Sequence, residues 1–140
     1  LVAEALGGKV EKSPKGWGVG VHTHIFNEFP EWHDGHSREF NILVSHQDQV
    51  FQNAEGVKVL AGSDFCQNAV CQLDDHILTF QGHPEFIPDY SREIIGFRQE
   101  MIGHETSEAG LASLSIEPES ERVARWIINF INTKTINSED

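Results

Sequence analysis

Basic residues are scarce in this chain. Ten Lys and Arg stand against 22 Asp and Glu, a formal net charge of −12 over 140 residues. Nucleic acid or an anionic membrane surface would demand clustered cations, so the balance argues against both as partners. Long apolar runs are missing as well. Nothing approaches the length of a membrane span, and the first residues lack the basic region and apolar segment of a signal peptide. The chain therefore reads as soluble and cytoplasmic. Cysteine is limited to Cys66 and Cys71. With 39% apolar content the chain can bury a core of its own, so the pair does not read as a secreted disulfide framework. Neither cysteine has the helix N-terminus or nearby cation that makes a thiolate, and acidic Asp64, Asp74 and Asp75 would oppose one. Both read as small apolar core residues. No internal repeat is present.

What is there has order. Leu1-Val2-Ala3-Glu4-Ala5-Leu6 before Gly7-Gly8 reads as the last turns of a helix with a glycine C-cap, so the chain is expected to begin inside an element. Residues 9–12 suggest a short strand and Ser13-Pro14-Lys15-Gly16 a turn. Residues 17–26 read as extended, antiparallel to 39–44 across the polar loop 31–37. Another strand is expected over 57–61, and 69–73 and 76–81 flank Asp74-Asp75 as a hairpin. Beyond residue 86 the period lengthens. Asp89 is expected to cap a helix burying Ile94, Phe97 and Met101. Ser120 is expected to cap another with Val123, Trp126, Ile127 and Phe130 as its stripe. Residues 105–120 read as a polar loop or short helix, and 133–140 as a flexible tail. Strands first and helices last, behind a severed helix, fit the second half of an α/β domain, with one domain over 1–132.

The strongest chemical signal is Gly82-His83-Pro84-Glu85-Phe86, closing the apolar run Ile77-Leu78-Thr79-Phe80. In extended chain, residues two apart share a face, so the Glu85 carboxylate can reach the His83 ring. Pro84 keeps His83 out of the helical region and suits a strand end. A carboxylate-oriented imidazole is half of a triad, the proton acceptor and donor that a Ser or Cys nucleophile needs; it is also, elsewhere, a plain structural pair. Ser45-His46-Gln47-Asp48-Gln49-Val50 follows the apolar strand Ile42-Leu43-Val44. As a loop it offers backbone groups to a polar substrate, or it is a turn bonded to itself.

In their order and spacing, Ala5-Leu6-Gly7-Gly8, the Ser45–Val50 segment and the His83 motif resemble the C-terminal part of class I glutamine amidotransferase domains. The type is that of GMP synthase and its stand-alone relatives, and the resemblance runs from Leu1 to about Gly103. It implies a flavodoxin-like α/β fold, C-terminal part only, with a mixed, mostly parallel sheet, antiparallel hairpins and flanking helices. It implies His83 as general base, Glu85 as its orienting partner, and Ser45 and His46 in the segment whose backbone contacts the substrate glutamine. The activity implied is hydrolysis of the glutamine side-chain amide through a Cys-His-Glu triad, releasing ammonia to a synthase subunit. No cofactor or metal is implied. The family carries its nucleophile on a glycine-flanked elbow resembling GxCxGHQ, immediately before the helix that ends in Ala-Leu-Gly-Gly. That elbow is not among these residues, so the chain alone is expected to be inactive, and exposed sheet edges would favour homo-oligomers.

Three alternatives remain. One is a γ-glutamyl hydrolase using the same triad without an ammonia acceptor. Another is a metal site, because His22 and His24 share a strand face and His33, Asp34 and His36 follow in the loop. The last is a degenerate amidotransferase-like module kept for interaction. Trp17 and Trp32 read as packing anchors.

Overall fold

The computed structural model describes residues 1–137, with side chains through Thr133. The chain opens with the short helix α1 (Val2–Ala5), which Gly7 ends at φ +95, while the Gly8 N–H donates to the Ala3 carbonyl at 2.7 Å. Strand β1 (Lys9–Lys12) then leads into the Ser13–Gly16 turn, closed by the Gly16 N–H on the Ser13 carbonyl. Strands β2 (Gly18–Phe26) and β3 (Glu39–His46) pair antiparallel along their whole length. After β4 (Asp48–Gln52) and β5 (Lys58–Gly62), strands β6 (Val70–Leu73) and β7 (Ile77–Phe80) form the hairpin expected around Asp74, which turns at φ +49.

The five-stranded sheet runs β3-β2-β5-β6-β7, and β1 pairs with β4 in a second ribbon. The fold is α/β with a mixed complement of strands and helices, but every strand pair among the described residues is antiparallel. This corrects the expectation of a mostly parallel sheet. The connections over 63–69 and 74–76 that join β5 to β6 and β6 to β7 are too short for the crossover of about a dozen or more residues that a parallel pair needs. The sheet also curls. The His83 N–H, just past β7, donates to the Leu43 carbonyl of β3 at 2.8 Å, bringing the end of the last strand beside the first in the sheet order.

Four helices follow: α2 (Pro88–Phe97), α3 (Gln99–Ile102), α4 (His104–Ser113) and α5 (Ser120–Asn137). Two layers result. On one face of the sheet Val123, Trp126 and Phe130 of α5 pack against Phe26, Phe40, Ile42, Val44, Leu60 and Val70, with Trp32 enclosed between them. On the other, Val19 meets Ile95 and Ile102. Helix α4 approaches β2 closely because both chain segments carry glycine there. A Cβ on Gly20 would lie 2.9 Å from the Gly110 Cα, and one on Gly110 would lie 2.6 Å from Val19 Cγ2.

Several local expectations change. Ser45-His46 belongs to β3 and Asp48–Gln52 to β4, so the segment is a break between two strands and not a loop. Helix α2 starts at Pro88 with Ile87 as its N-cap in extended conformation, which leaves Asp89 inside the first turn; proline at the first helical position fixes that start. The period of α2 is as expected but its phase is not. Ser91, Ile95 and then Ile102 face the sheet, while Phe97 is 91% and Met101 66% exposed. Small Ser91 lets the helix lie close to β2 and β3, and that contact sets the rotation. The expected polar connection over 105–120 contains most of α4. Ser120 is the first residue of α5, and the helix continues to Asn137 through part of the expected tail; residues 138–140 lie outside the described residues.

Candidate active site

Strand β7 delivers the histidine motif to the rim of a cleft. Gly82 passes so near β3 that a Cβ there would sit 2.8 Å from Ile42 Cδ1, and Ile42 is wholly buried and cannot yield. His83 Nδ1 then lies 2.7 Å from Glu85 Oε1, the pairing that the alternation of side chains requires. The His83 side chain is 34% exposed and that of Glu85 64%. Phe86 stacks on the imidazole with ring centroids 4.2 Å apart and 7° between planes, and Tyr90 meets Phe86 edge-on at 4.7 Å. A carboxylate on one edge and a phenyl ring on one face fix the imidazole plane. Its Nε2 makes no hydrogen bond to any described residue, so that nitrogen is available for proton exchange.

The second segment approaches from β3. The charge of His83 is one of the lesser causes, after burial and His22, that lower the pKa of His46. Gln49 and His83 line the same cleft of about 760 Å³, which Leu78, Phe80 and Gln81 continue. Ser45 Oγ, both ring nitrogens of His46 and Gln49 Oε1 are buried without a hydrogen-bond partner among the described residues. Four such atoms within five residues are unusual, because a buried polar group left unpaired costs about 1–3 kcal/mol. Of the three residues only Gln49 lines that cleft with His83; Ser45 and His46, consecutive in β3, point to opposite faces of the sheet. Burial first, then the charge of His22, holds His46 down at about 4, so its ring is neutral at physiological pH. A neutral imidazole can donate from one nitrogen and accept at the other.

Two contributions lie beyond the reach of the linear motif. Phe86 belongs to the Gly82–Phe86 run, but its stacking needs the turn closed by the Phe86 N–H on the His83 carbonyl at 3.2 Å. Phe65 packs edge-on to His22 at 5.2 Å and tilted to His46 at 5.8 Å, walling the far side of the pair; no spacing rule links residues so far apart.

The remaining histidines disperse. His24 is 1% exposed and edge-on to Phe40, while His33 stacks between Phe29 and Trp126. His36 follows in the loop, its N–H on Asp34 Oδ1. Among the described residues no group of three or more His, Cys, Asp and Glu is placed to hold a metal ion, so the convergence considered for His22, His24, His33 and His36 does not occur. Both cysteines are buried as expected. Burial, and secondarily Cys71, pushes the Cys66 thiol up to about 11, and burial raises Cys71 too. Neither is a reactive thiolate. No described helix is long and apolar enough to cross a membrane.

A histidine–carboxylate pair thus stands at a strand end on the rim of a cleft in an α/β domain. The chain belongs to the glutamine amidotransferase class-I family, whose profile matches residues 1–99. Among curated proteins it is 38% identical over 93 residues to the candidate glutamine amidotransferase YLR126C of Saccharomyces cerevisiae, covering 66% of this chain and 37% of that one. It is 28% identical over 137 residues to gamma-glutamyl peptidase 2 of Arabidopsis thaliana, covering 94% of this chain and 55% of the relative. The crystal structure of a glutamine amidotransferase from Methylobacillus flagellatus superposes with TM-score 0.64 at 25% identity, over 91% of this chain and 58% of that one. These neighbours carry the flavodoxin-like amidotransferase fold, as expected. The chain thus spans between about a third and just over half of the length of the curated relatives it matches.

Proposed function

We propose that these residues supply the acid–base half and part of the substrate pocket of an enzyme that cleaves the side-chain amide of glutamine, releasing ammonia for an acceptor. Supporting this is the 2.7 Å contact of His83 Nδ1 with Glu85 Oε1 on the rim of a cleft that Gln49 also lines. Glu85 accepts a hydrogen bond from Nδ1–H, which fixes the tautomer with the lone pair on Nε2 and stabilises the imidazolium that forms during turnover. His83 Nε2 takes the proton of a cysteine thiol as sulfur attacks the γ-carboxamide carbon. It returns that proton to the departing nitrogen, giving ammonia and a thioester, and then deprotonates the water that cleaves the thioester. The sulfur comes from outside these 140 residues, because both cysteines within them are buried, high-pKa thiols. Ser45 and His46 hold the glutamyl portion, and residues 1–132 act as one part of a single domain. The glutamine-hydrolysing GMP synthase subunit of Archaeoglobus fulgidus, 35% identical over 86 residues, supports placing the acceptor on a separate synthase polypeptide.

A second reading has its own support. Gamma-glutamyl peptidase 2 aligns over 94% of this chain, through the helices that follow the histidine motif, whereas the Archaeoglobus protein aligns over 61%. A γ-glutamyl hydrolase would use the same residues and release an amine in place of ammonia. Ammonia release from free glutamine, run beside cleavage of γ-glutamyl dipeptides with the full-length protein, separates the two. Turnover of the dipeptides without glutamine hydrolysis would replace the first reading by the second. In either case His83→Ala should lower turnover about 10²–10⁴-fold, with melting temperature little changed because the side chain is partly exposed. Wild-type rates in that variant would remove His83 from the chemistry.

A further inference from the structure

The rotation of α2 and α3 leaves an apolar stripe that the reaction does not use. Tyr90, Ile94, Phe97 and Met101 recur at i, i+4, i+7 and i+11 and fall in one narrow sector of the nearly continuous α2–α3 helix, in which the Arg98 N–H still bonds to the Ile94 carbonyl and the Ile102 N–H to that of Arg98. Phe97 is 91% and Met101 66% exposed, and Ile87 at the head of the stripe is 61% exposed. Along the solvent border of this sector runs a row of exposed carboxylates, Asp89, Glu93 and Glu100, at i, i+4 and i+11. Ser91, Ile95 and Ile102 hold the adjoining sector against the body of the protein. The stripe is therefore fixed in place, apolar at its centre and acidic along one side.

We propose that this face of α2–α3 is the docking surface for a separate protein that presents an apolar ridge flanked by Lys or Arg. Charge selects that occupant. A second copy of the chain would bring an identical acidic row and a further −12 of net charge, so self-association through this face sets like charge against like. A basic-flanked apolar ridge complements both the stripe and its border. The surface is also continuous with the candidate site, since Tyr90 lies edge-on to Phe86 and Phe86 stacks on His83. On the amidotransferase reading given above, on which this clause alone rests, the partner is the protein that receives the ammonia.

A fluorescently labelled synthetic helical peptide with a leucine ridge flanked by lysines, and a scrambled peptide of the same composition, test this by anisotropy against the full-length protein. The ridge peptide should bind at least about tenfold tighter than the scramble. The Phe97→Ser/Met101→Ser double variant should abolish that preference while keeping its melting temperature, because both side chains are exposed. The Asp89→Asn/Glu93→Gln/Glu100→Gln variant should weaken binding severalfold and flatten its salt dependence. Equal affinity for the scramble, or binding indifferent to both variants, overturns the proposal. A dimer by light scattering that Phe97→Ser/Met101→Ser dissolves overturns it in favour of a second copy. Protection of Phe97 and Met101 from hydroxyl radicals in the full-length protein without peptide overturns it in favour of intramolecular cover. Peptide binding is read without substrate, so a protein that binds the ridge peptide yet never hydrolyses glutamine would sink the proposed activity and leave the docking surface standing.

Discussion

Helix α5 crosses the β2–β3 hairpin over a nest of rings, and just past the end of β7 His83 stands at the rim of a cleft. In the first region Trp126 has Phe26 and Phe40 edge-on at 5.2 and 5.1 Å, His33 stacked at 4.8 Å and the Arg122 guanidinium 4.7 Å above it. Arg122 also binds Asp34 through two nitrogens and donates to the Ser37 and Glu39 carbonyls, which ties the 27–38 loop to the helix. In the second region Phe97 stands in solvent, His83 is a third exposed, and Ser45, His46 and Gln49 hold polar atoms with nothing to bind among the described residues. Residues in the first region stabilise the protein chiefly by ring and ion-pair contacts already made, although among the described residues Trp126 Nε1 and His33 Nε2 also lack a hydrogen-bond partner there. Those in the second carry unmet interactions that a ligand or partner can complete, and a fold tolerates them because the aromatic end is so closely packed.

The comparison breaks most visibly at its packed end. Trp126→Ala should cost about 3–5 kcal/mol in urea unfolding, since it deletes the ring against which four others rest. A loss comparable to that of an exposed substitution such as Phe97→Ser, within about 0.5 kcal/mol of the parent, would erase the distinction.

Acid comes next in size and acts through both regions. Burial, helped by the charges of His22 and His46, holds His24 down at about 4, and His46 is likewise at about 4, against 6.5 when unfolded. The unfolded chain therefore binds more protons between these values, and stability must fall as pH drops from about 6.5 towards 4. His24, 1% exposed, contributes on the order of 3 kcal/mol to that fall. Urea midpoints at pH 7 and 4.5 should differ accordingly, and a flat profile would mean that these imidazoles are hydrated.

Arg122→Met sharpens the contrast at smaller scale, with an expected loss of about 1–3 kcal/mol at pH 7. The guanidinium holds the Asp34 carboxyl well below the usual carboxylate range, so the stabilisation is complete above the unfolded value of 3.8 and is lost progressively below it. The gap between variant and parent should begin to narrow only under pH 3.8, and a gap that already shrinks at pH 5 would point to a different titrating group.

Local patterns carried most of the elements. The strands over residues 9–12, 18–26 and 39–44, the hairpin at Asp74 and the buried stripe Val123, Trp126 and Phe130 follow from alternation, turn residues and helical period, each decided within a few neighbours. The His83–Glu85 contact was legible for the same reason, since two residues of extended chain span it. Sheet direction, the phase of α2 and the walls around His46 were not, because each depends on what arrives from elsewhere in the chain. Period is a property of one segment, but rotation is set by the surface it meets, and a seryl side chain at position 91 outweighed three larger apolar ones.

By itself, then, the sequence determined the family, the pairing of imidazole and carboxylate, and the helix that buries Trp126. Those depend on spacing along the backbone. Only tertiary structure decided that Ser45, His46 and Gln49 would be buried without partners, that Phe86 would brace His83, and that Phe97 would face outward. These depend on which surfaces come within van der Waals and hydrogen-bond range, distances that no local period encodes.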